Sequence, residues 1–179
     1  MEVTNSQRLK YRQMSNQDAD LFYLLDQDPL VMKYLNGGKA STYDDINNVF
    51  LPRLHSYRNI DKGWGIWKVS ITESDDFIGW ILVRPMDFFS ESPQYENLEL
   101  GWRFMQKSWG KGYATEAAKH IMHNIIEQMR IYKFSALAVH DNKASIKVMT
   151  NIGMSYLKSY RHKDPLLDID AVCYQINCR

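Results

Sequence analysis

A glycine-containing turn at residues 108–115 is the part of this sequence best suited to binding a ligand through its backbone. Gly110 and Gly112 flank Lys111, and apolar residues then recur at helical spacing from Ala118 to Met129. The first N–H groups of a helix have no partner inside it, and the helix dipole adds partial positive charge there. Glycines let an anion approach these groups closely. The turn therefore predicts a phosphate site, and a turn that only redirects the chain is the alternative.

The turn matches neither of the two common nucleotide-binding motifs. Thr115 stands where the third glycine of G-x-G-x-x-G belongs. A P-loop needs a serine or threonine directly after its lysine, whereas Gly112 follows Lys111 here, and Met105 occupies the place of the first P-loop glycine. The sequence therefore predicts neither a Rossmann-type dinucleotide site nor a P-loop.

A carboxylate precedes the turn on a segment with the alternation of a β-strand. Residues 97–104 alternate between apolar side chains and polar or small ones, so this strand has two different faces. Glu99 lies on the polar face, where a carboxylate can accept a proton from a substrate directly or through one water. An exposed strand carboxylate without a catalytic role is the alternative.

Further segments form the elements that must position these groups. Strands are predicted at residues 8–14, 63–72, 77–86, 95–105, 133–140, 155–163 and 169–177, and helices at 15–28, 41–59, 113–129 and 142–153. The polar turn at 73–76 predicts a hairpin between the second and third strands. The order β-α-α-β-β-β-α-β-α-β-β predicts one α/β (α+β) domain over residues 1–179. Its sheet is mixed, mostly antiparallel and twisted, with about seven strands and helices on both faces.

The first two helices carry more detailed expectations about which side chains are buried. Leu24 is predicted to share an apolar face with Leu21 and Leu25 on the first helix. In the second helix, Val49 has the spacing of a core residue, and Pro52 should kink or break the helix.

The composition is typical of a globular protein without a strong charge bias. The chain has 22 basic and 21 acidic residues and is 45% hydrophobic, which does not favour a nucleic-acid binder. No segment reads as a signal peptide or a membrane span, and two cysteines make neither a disulfide framework nor a zinc site, so a cytoplasmic protein is expected. Acidic residues outnumber basic ones in 61–100, and basic residues outnumber acidic ones in 101–150. This division is either a chance distribution or indicates a cationic ligand near the first segment and an anionic ligand on the second.

Two long stretches resemble a known family of enzymes. "LELGWRFMQKSWGKGYATEAAKHIMHNII" and "NKASIKVMTNIGM" resemble the Gcn5-related N-acetyltransferase (GNAT) superfamily, and within it the ribosomal-protein N-terminal alanine and serine acetyltransferases. The opening "QRLKYRQMSNQDAD" and the closing "IDAVCYQI" extend this resemblance over nearly the whole chain. The family turn is written Q/R-x-x-G-x-G/A, and Trp109 departs from it at the first position.

The resemblance implies that acetyl-CoA lies in a splay between the strand ending in Phe104 and the following parallel strand. The pantetheine arm would contact backbone groups of Arg103 and Phe104, an oxyanion donor would lie near Trp102, and Asn142 would contact the arm or simply cap its helix. Lys107, Lys111 and Lys147 are candidates for phosphate contacts. The residues implied to hold the pyrophosphate through backbone N–H groups are Trp109, Gly110, Lys111, Gly112, Tyr113, Ala114 and Thr115.

The resemblance also implies acetyl transfer from a thioester to an amine, with Glu99 as the base. Many relatives protonate the leaving thiolate with a tyrosine, but the matching position here is Met149, so Ser145 becomes the candidate donor. Other histidines and tyrosines are weaker candidates. His140 is a candidate to approach the thioester, and Tyr156 and Tyr174 are reserve proton donors. His120 and His123 have the spacing of a metal pair on a helix, but a solvated face is favoured for them and no metal is expected.

The expected function is therefore acetyl-CoA-dependent N-acetylation by direct attack of an amine in a ternary complex. A protein N-terminal α-amine is favoured, because at pH near 7.5 an α-amine of pKa about 7.8 is roughly one-third neutral, whereas a lysine-like amine is only about 0.1% neutral. A small-molecule amine (polyamine, amino acid or antibiotic) and a non-catalytic acyl-CoA-binding sensor are the alternatives. No nucleic-acid or membrane partner is expected, and the chain would be a monomer or homodimer.

Overall fold

The computed structural model describes residues 1–164 and 167–178 of the chain. Its strands are β1 (Leu9–Gln13), β2 (Gly65–Ile71), β3 (Phe77–Met86), β4 (Gln94–Phe104), β5 (Lys133–Val139), β6 (Ser155–Asp164) and β7 (Leu167–Asn177). Its helices are α1 (Ala19–Asp26), α2 (Pro29–Asn36), α3 (Tyr43–Asp45), α4 (Leu51–Tyr57), α5 (Tyr113–Met129) and α6 (Lys143–Asn151). A π-helical segment, Ile46–Phe50, joins α3 to α4.

The strands form one seven-stranded sheet in the order β1-β2-β3-β4-β5-β7-β6. Only β4 and β5 are parallel among the paired strands, and all other neighbours are antiparallel. The predicted fold class, the number of strands and the hairpin between β2 and β3 are confirmed.

Buried apolar side chains form one cluster on each face of the sheet. On one face, β4 contributes Leu98 and Leu100, which pack with α5 residues such as Ile121. On the other face, Trp80 of β3 packs with side chains from α1 and α4, such as Phe22. Helices on both faces therefore bury the sheet, and the two faces of β4 point into different surroundings.

The helices before β2 differ from the sequence-based prediction in number. The predicted helix at 15–28 ends at Asp26 in the structure, and α2 follows it as a separate helix. Asp28 accepts a hydrogen bond from the N–H of Leu30, and Pro29 occupies the first turn. A side-chain cap followed by proline favours a new helix start, because proline has no N–H to lose there. The Asp-Pro pair thus begins α2 rather than only ending α1.

Pro52 changes the helix geometry without breaking the helix. The chain stays helical from residue 43 to residue 57, but it widens into the π segment directly before α4. Proline donates no backbone hydrogen bond and crowds the preceding turn, and a wider turn accommodates both effects.

Two side chains predicted to face the core are exposed instead. Val49 is 38% exposed, while Ile46 of the same segment is buried, and Leu24 of α1 is 53% exposed. The wider π turn changes the angle between successive side chains, so regular helical spacing gives the wrong face for Val49.

Across residues 1–164 and 167–178, no helix has the length and apolar character needed to cross a membrane.

Candidate active site

The parallel strands β4 and β5 separate halfway along their length. They pair only where Asn97–Glu99 face Lys133–Ser135. Beyond that point β4 continues to Phe104 and β5 to Val139, and β5 keeps its pairing with β7 on its other edge. The diverging edges can therefore accept an amide-bearing ligand in the manner of an added strand. This is the splay that the resemblance implies.

A cleft of about 1050 Å³ opens at this splay and extends to α2 and the π segment. It brings together most of the sequence-predicted site residues from four separate elements. Those lining it are Glu99, Trp102, Arg103, Phe104, Trp109, Gly110, Gly112, Tyr113, Ala114, Thr115, Asn142, Ser145 and Lys147. Lys111 and Lys107 do not line it.

The glycine turn presents open space in front of the α5 N-terminus. Gly110 and Gly112 have φ of +74° and +77°, a conformation that glycine adopts without strain. A Cβ at Gly110 would meet nothing within 4 Å, and at Gly112 it would meet only Nη2 of Arg8, at 3.6 Å. Because Gly112 is the N-cap and has no side chain, no side-chain cap occupies the first helix N–H groups. The turn therefore fits a phosphate group on its backbone donors.

Trp109 contributes less of its backbone than the resemblance implies. Its N–H donates to the carbonyl of Gln106 at 3.0 Å, within the short 3₁₀ turn before it. Its indole Nε1 donates to the carbonyl of Phe104 at 2.8 Å. This corrects the prediction for the Trp109 N–H, because that donor is already used inside the protein. The available donors begin at Gly110, and the indole ties the turn to the end of β4.

An arginine directly before β1 holds the turn through its carbonyl and through α5. Nη1 of Arg8 donates to the carbonyl of Lys111 at 3.0 Å, and its Nε donates to Glu116 of α5 at 2.7 Å. Glu116 also accepts from the Ser6 hydroxyl at 2.8 Å. Burial raises the pKa of Glu116, but the hydrogen bonds from Ser6 and Arg8 outweigh it and the pKa is lowered. The glycine turn is thereby fixed to the N-terminal segment.

The N-terminus of α6 faces β4 across the splay. Oδ1 of Asn142 accepts from the N–H of Ser145 at 3.1 Å, so Asn142 caps the helix. Nε1 of Trp102 donates to Oγ of Ser145 at 3.2 Å. Because the Ser145 hydroxyl accepts this bond, its own hydrogen remains available to a further acceptor. Three predicted residues from two elements thus meet at one point.

Glu99 lies on the opposite face of β4 and is paired with an arginine that sequence reasoning missed. Nε of Arg84 donates to Oε2 of Glu99 at 2.7 Å, and both side chains are 12% exposed. The two residues stand directly opposite each other in the β3–β4 register. Glu99 and Trp102 are separated by three positions and therefore project from different faces of the strand. The carboxylate and the Ser145 hydroxyl thus lie on the two sides of β4.

A second cavity, of about 480 Å³, meets the cleft at Glu99 and Arg84. The loop after β3 and strand β6 form its other walls, with Asp87, Tyr160 and His162 among the lining residues. Burial raises the pKa of Tyr160, so its phenol stays protonated at neutral pH. Glu99 can therefore be reached from two directions.

The side chain of Arg103 points away from the splay. It forms an ion pair with Asp26 of α1, and Asp26 also accepts from the Ser41 hydroxyl at 2.7 Å. The Arg103 guanidinium lies 5.0 Å from the centre of the Trp80 ring. Only the backbone of Arg103 is therefore left for the contact that the resemblance implies.

The weaker candidates lie outside the cleft. Met149 is fully buried, and Tyr156 is 56% exposed and bonded to Ser159. Neither of these, nor Tyr174 or His140, lines the cleft. The two α5 histidines have protein partners. His120 bonds to Thr4 and His123 pairs with Glu127. Within the described part of the chain no three metal-ligating side chains come together.

The missed residues Arg84, Arg8 and Asp26 share one property, since each meets its partner through tertiary structure. Arg84 faces Glu99 across a hairpin whose register shifts between Pro85 and Met86. The only available signal was a basic residue on a strand next to the strand of Glu99, and the bulge prevents the pairing from being counted along the sequence.

Comparisons with known proteins agree with this geometry. The acetyltransferase (GNAT) domain matches residues 8–155. The uncharacterized protein YkkB of Bacillus subtilis strain 168 is 33% identical over 159 residues, covering 86% of each chain. The FsC-acetyl coenzyme A-N(2)-transacetylase of Aspergillus fumigatus is 27% identical over 87% of this chain and 66% of its own length.

Solved structures share the fold over nearly the whole chain. A GNAT-family acetyltransferase from Bacillus anthracis aligns with a TM-score of 0.76 and 25% identity over 99% of this chain and 98% of its own. Spermidine N-acetyltransferase from Vibrio cholerae, solved with CoA and spermine, aligns with a TM-score of 0.72 and 12% identity over 97% of each chain. With the domain match, the splayed strands and the open glycine turn together, this chain belongs to the GNAT family and is an acetyl-CoA-dependent N-acetyltransferase.

Proposed function

We propose that this enzyme acetylates a protein N-terminal α-amine by direct attack within a ternary complex. The arrangement of Glu99 and Ser145 on the two sides of β4, where the strands separate, is the observation that carries the proposal. Two substrates can then meet at the splay from different sides.

The cofactor-binding part of the proposal uses backbone groups. Donors from Gly110 to Thr115 and the free edges of β4 and β5 would hold acetyl-CoA, with Asn142 beside the pantetheine arm and Lys147 near the phosphates. Bound acetyl-CoA supplies an activated acetyl group as a thioester. A backbone N–H near Trp102 would stabilise the oxyanion.

Proton transfer is assigned to the two side chains that flank β4. Glu99 would accept the proton from the attacking amine, directly or through a water, and Arg84 fixes the direction of its carboxylate. Ser145 would donate a proton to the departing sulfur, since Trp102 and Asn142 hold it in place. An α-amine suits this site because a large share of it is already neutral near pH 7.5.

We also propose that residues 1–179 act as one domain of the ribosomal-protein N-terminal acetyltransferase branch, in the cytoplasm, as a monomer or homodimer. The two free cysteines support a reducing compartment.

A small-molecule amine is the second candidate acceptor. The Aspergillus relative is named for acetylation at N(2), and the Vibrio structure contains spermine. Met149 is buried where many relatives place a proton-donating tyrosine, so Ser145 is the donor in this proposal.

The test is thiol release from acetyl-CoA with a peptide carrying a free α-amine and with the same peptide blocked at that amine but carrying a free lysine. We expect turnover of the first peptide, and a loss of about 100-fold or more in kcat for Glu99→Gln. Ser145→Ala should also lower kcat. Glu96→Gln, on an exposed part of β4, and Ser159→Ala are matched controls. Acetyl-CoA binding without turnover on either peptide or on small amines would contradict the proposal.

A further inference from the structure

The outer wall of the cleft is apolar and exposed. Leu30 and Leu35 of α2 are 48% and 37% exposed, and Val49 of the π segment is 38% exposed. All three line the same cleft as Glu99. Exposed aliphatic side chains are ordinary when scattered, but a set that lines a substrate cleft marks where apolar surface can be covered.

The carboxylates among the described lining residues of the cleft are already bonded within the protein. Asp26 pairs with Arg103 and Glu99 pairs with Arg84, whereas the exposed Asp45 accepts hydrogen bonds from the uncharged Thr42 and is a single carboxylate without a cation among its described hydrogen-bond partners. A polycation needs carboxylates that are free to pair with its several charges. Taking Asp26 would leave the largely buried Arg103 without its ion-pair partner, which is costly, and taking Glu99 would break its hydrogen bond from Arg84.

The second cavity does not supply several free carboxylates from its described residues either. Its acidic lining residues are Glu99 and Asp87, and Asp87 accepts from Nε2 of Gln94 at 2.8 Å. The same cavity is lined by Lys163 and by Arg161, which is itself paired with Asp168 and Asp170. Its described lining therefore offers no set of carboxylates for a ligand that carries several ammonium groups.

We infer that the acceptor of this site carries a single amine joined to an apolar group, and that polyamines are poor acceptors. This inference rests on the proposed acetyl transfer and narrows its substrate class. The amine would lie at Glu99, and the apolar group would cover Leu30, Leu35 and Val49. Burying one aliphatic side chain is worth roughly tenfold to a hundredfold in affinity.

The experiment is calorimetric titration of the CoA-loaded protein with matched amines. The probes are leucinamide and glycinamide, two peptides that begin with leucine or with glycine, and spermidine. We expect each leucine compound to bind about tenfold or more tightly than its glycine counterpart, and spermidine to bind more weakly than leucinamide. Tighter binding of the leucine peptide than of leucinamide would indicate a protein source, and the reverse a small molecule. Equal binding of leucine and glycine compounds, tighter spermidine binding, or no binding of any probe would overturn the inference.

Three substitutions make the test specific to the cleft wall. Leu30→Asp and Val49→Asp should each remove the leucine preference and strengthen spermidine binding, because each adds a carboxylate to the wall. Leu24→Asp is the matched control, since Leu24 is 53% exposed on α1 and does not line the cleft. An unchanged leucine preference in both wall variants would contradict the inference. Thiol release is measured in parallel. Leucinamide binding without turnover would contradict the proposed acetyl transfer. Efficient turnover of spermidine would contradict only the inference about the acceptor.

Discussion

At the residue scale, Glu99 and Arg84 form a buried ion pair at the base of the cleft. The pair offsets part of the cost of burying the Glu99 charge, because both side chains are largely removed from solvent. The pair also fixes the position of one carboxylate oxygen beside the strand edge where β4 and β5 separate. Removing the cation should therefore affect stability and activity together.

Arg84→Met should lower the free energy of unfolding by about 3 kcal/mol, because it leaves the Glu99 charge without this partner. The double variant Arg84→Met/Glu99→Gln should regain much of that stability but not the activity. Urea denaturation and thiol release measure the two effects. If the double variant is no more stable than Arg84→Met, the ion pair does not explain the loss.

Arg8 is a positioning residue for the glycine turn, since its guanidinium bonds to the carbonyl of Lys111 and to Glu116. Arg8→Met should raise the KM for acetyl-CoA about tenfold, equivalent to about 1.4 kcal/mol, with little change in kcat. The KM for acetyl-pantetheine, which has no pyrophosphate, should not change. Arg12→Met is the control because Arg12 pairs with Asp18 instead. Equal effects on both acetyl donors would rule out a role through the turn.

At the element scale, the glycine turn can be tested with two glycines of similar geometry. Gly112 and Gly37 have φ of +77° and +75°, and Gly37 ends α2 outside the cleft. Alanine at either position should cost about 1–2 kcal/mol of stability, because a Cβ is strained at positive φ. Only Gly112→Ala should also weaken CoA binding in calorimetry. Equal CoA affinity in the two variants would show that the turn has only a structural role and does not bind the cofactor.

The sequence predicts helices and strands well where the apolar pattern and the flanking turn residues agree. Strand β3 begins and ends at the predicted residues, 77 and 86, because an apolar run is bounded by polar turns. It predicts poorly where proline is involved. Pro29 begins a helix and Pro52 follows a π segment, and both outcomes depend on local hydrogen bonds that residue spacing does not encode.

The candidate site likewise has a part that could be predicted from local sequence and a part that could not. The glycine turn and the positions of Glu99 and Ser145 follow from motif and alternation, which are local properties. The partners Arg84 and Arg8 come from other parts of the chain. The contact of Arg84 depends on the β3–β4 register, and the contact of Arg8 depends on how the N-terminal segment packs against the glycine turn. Those contacts decide which groups are free for substrate, so the acceptor class needs the three-dimensional structure.

At the scale of the whole molecule, acid stability should depend on two carboxylates that pair with arginines near the N-terminus, and Glu116 joins that segment to α5. Burial raises the pKa of Asp18 and Glu116, but hydrogen bonds from Arg12 and from Ser6 with Arg8 outweigh it, and both values are lowered. A lowered folded-state pKa contributes stability above the ordinary values of 3.8 and 4.5, and this contribution is lost as the pH falls below them. Glu116→Gln should flatten the decline of thermal stability between about pH 5 and pH 3. An unchanged pH profile would contradict this.

The side chains that line the cleft also determine the kinetics that we expect. Covalent catalysis through an acetylated cysteine would need a reactive thiol in the cleft, and of the described lining residues none is a cysteine. Cys173 is buried, and burial raises the pKa of its thiol, which disfavours the nucleophilic thiolate. Acetyl transfer should therefore proceed directly between two substrates bound at the same time.

Initial rates measured while acetyl-CoA and the amine are varied together should give intersecting double-reciprocal lines. The variant Cys173→Ala/Cys178→Ala should keep this pattern and most of the kcat. Parallel lines, or loss of turnover in a cysteine variant that still melts cooperatively and binds CoA, would indicate an acetyl-enzyme instead. We expect direct transfer because the sheet opens between two strands and leaves the two candidate catalytic side chains on opposite sides of one of them.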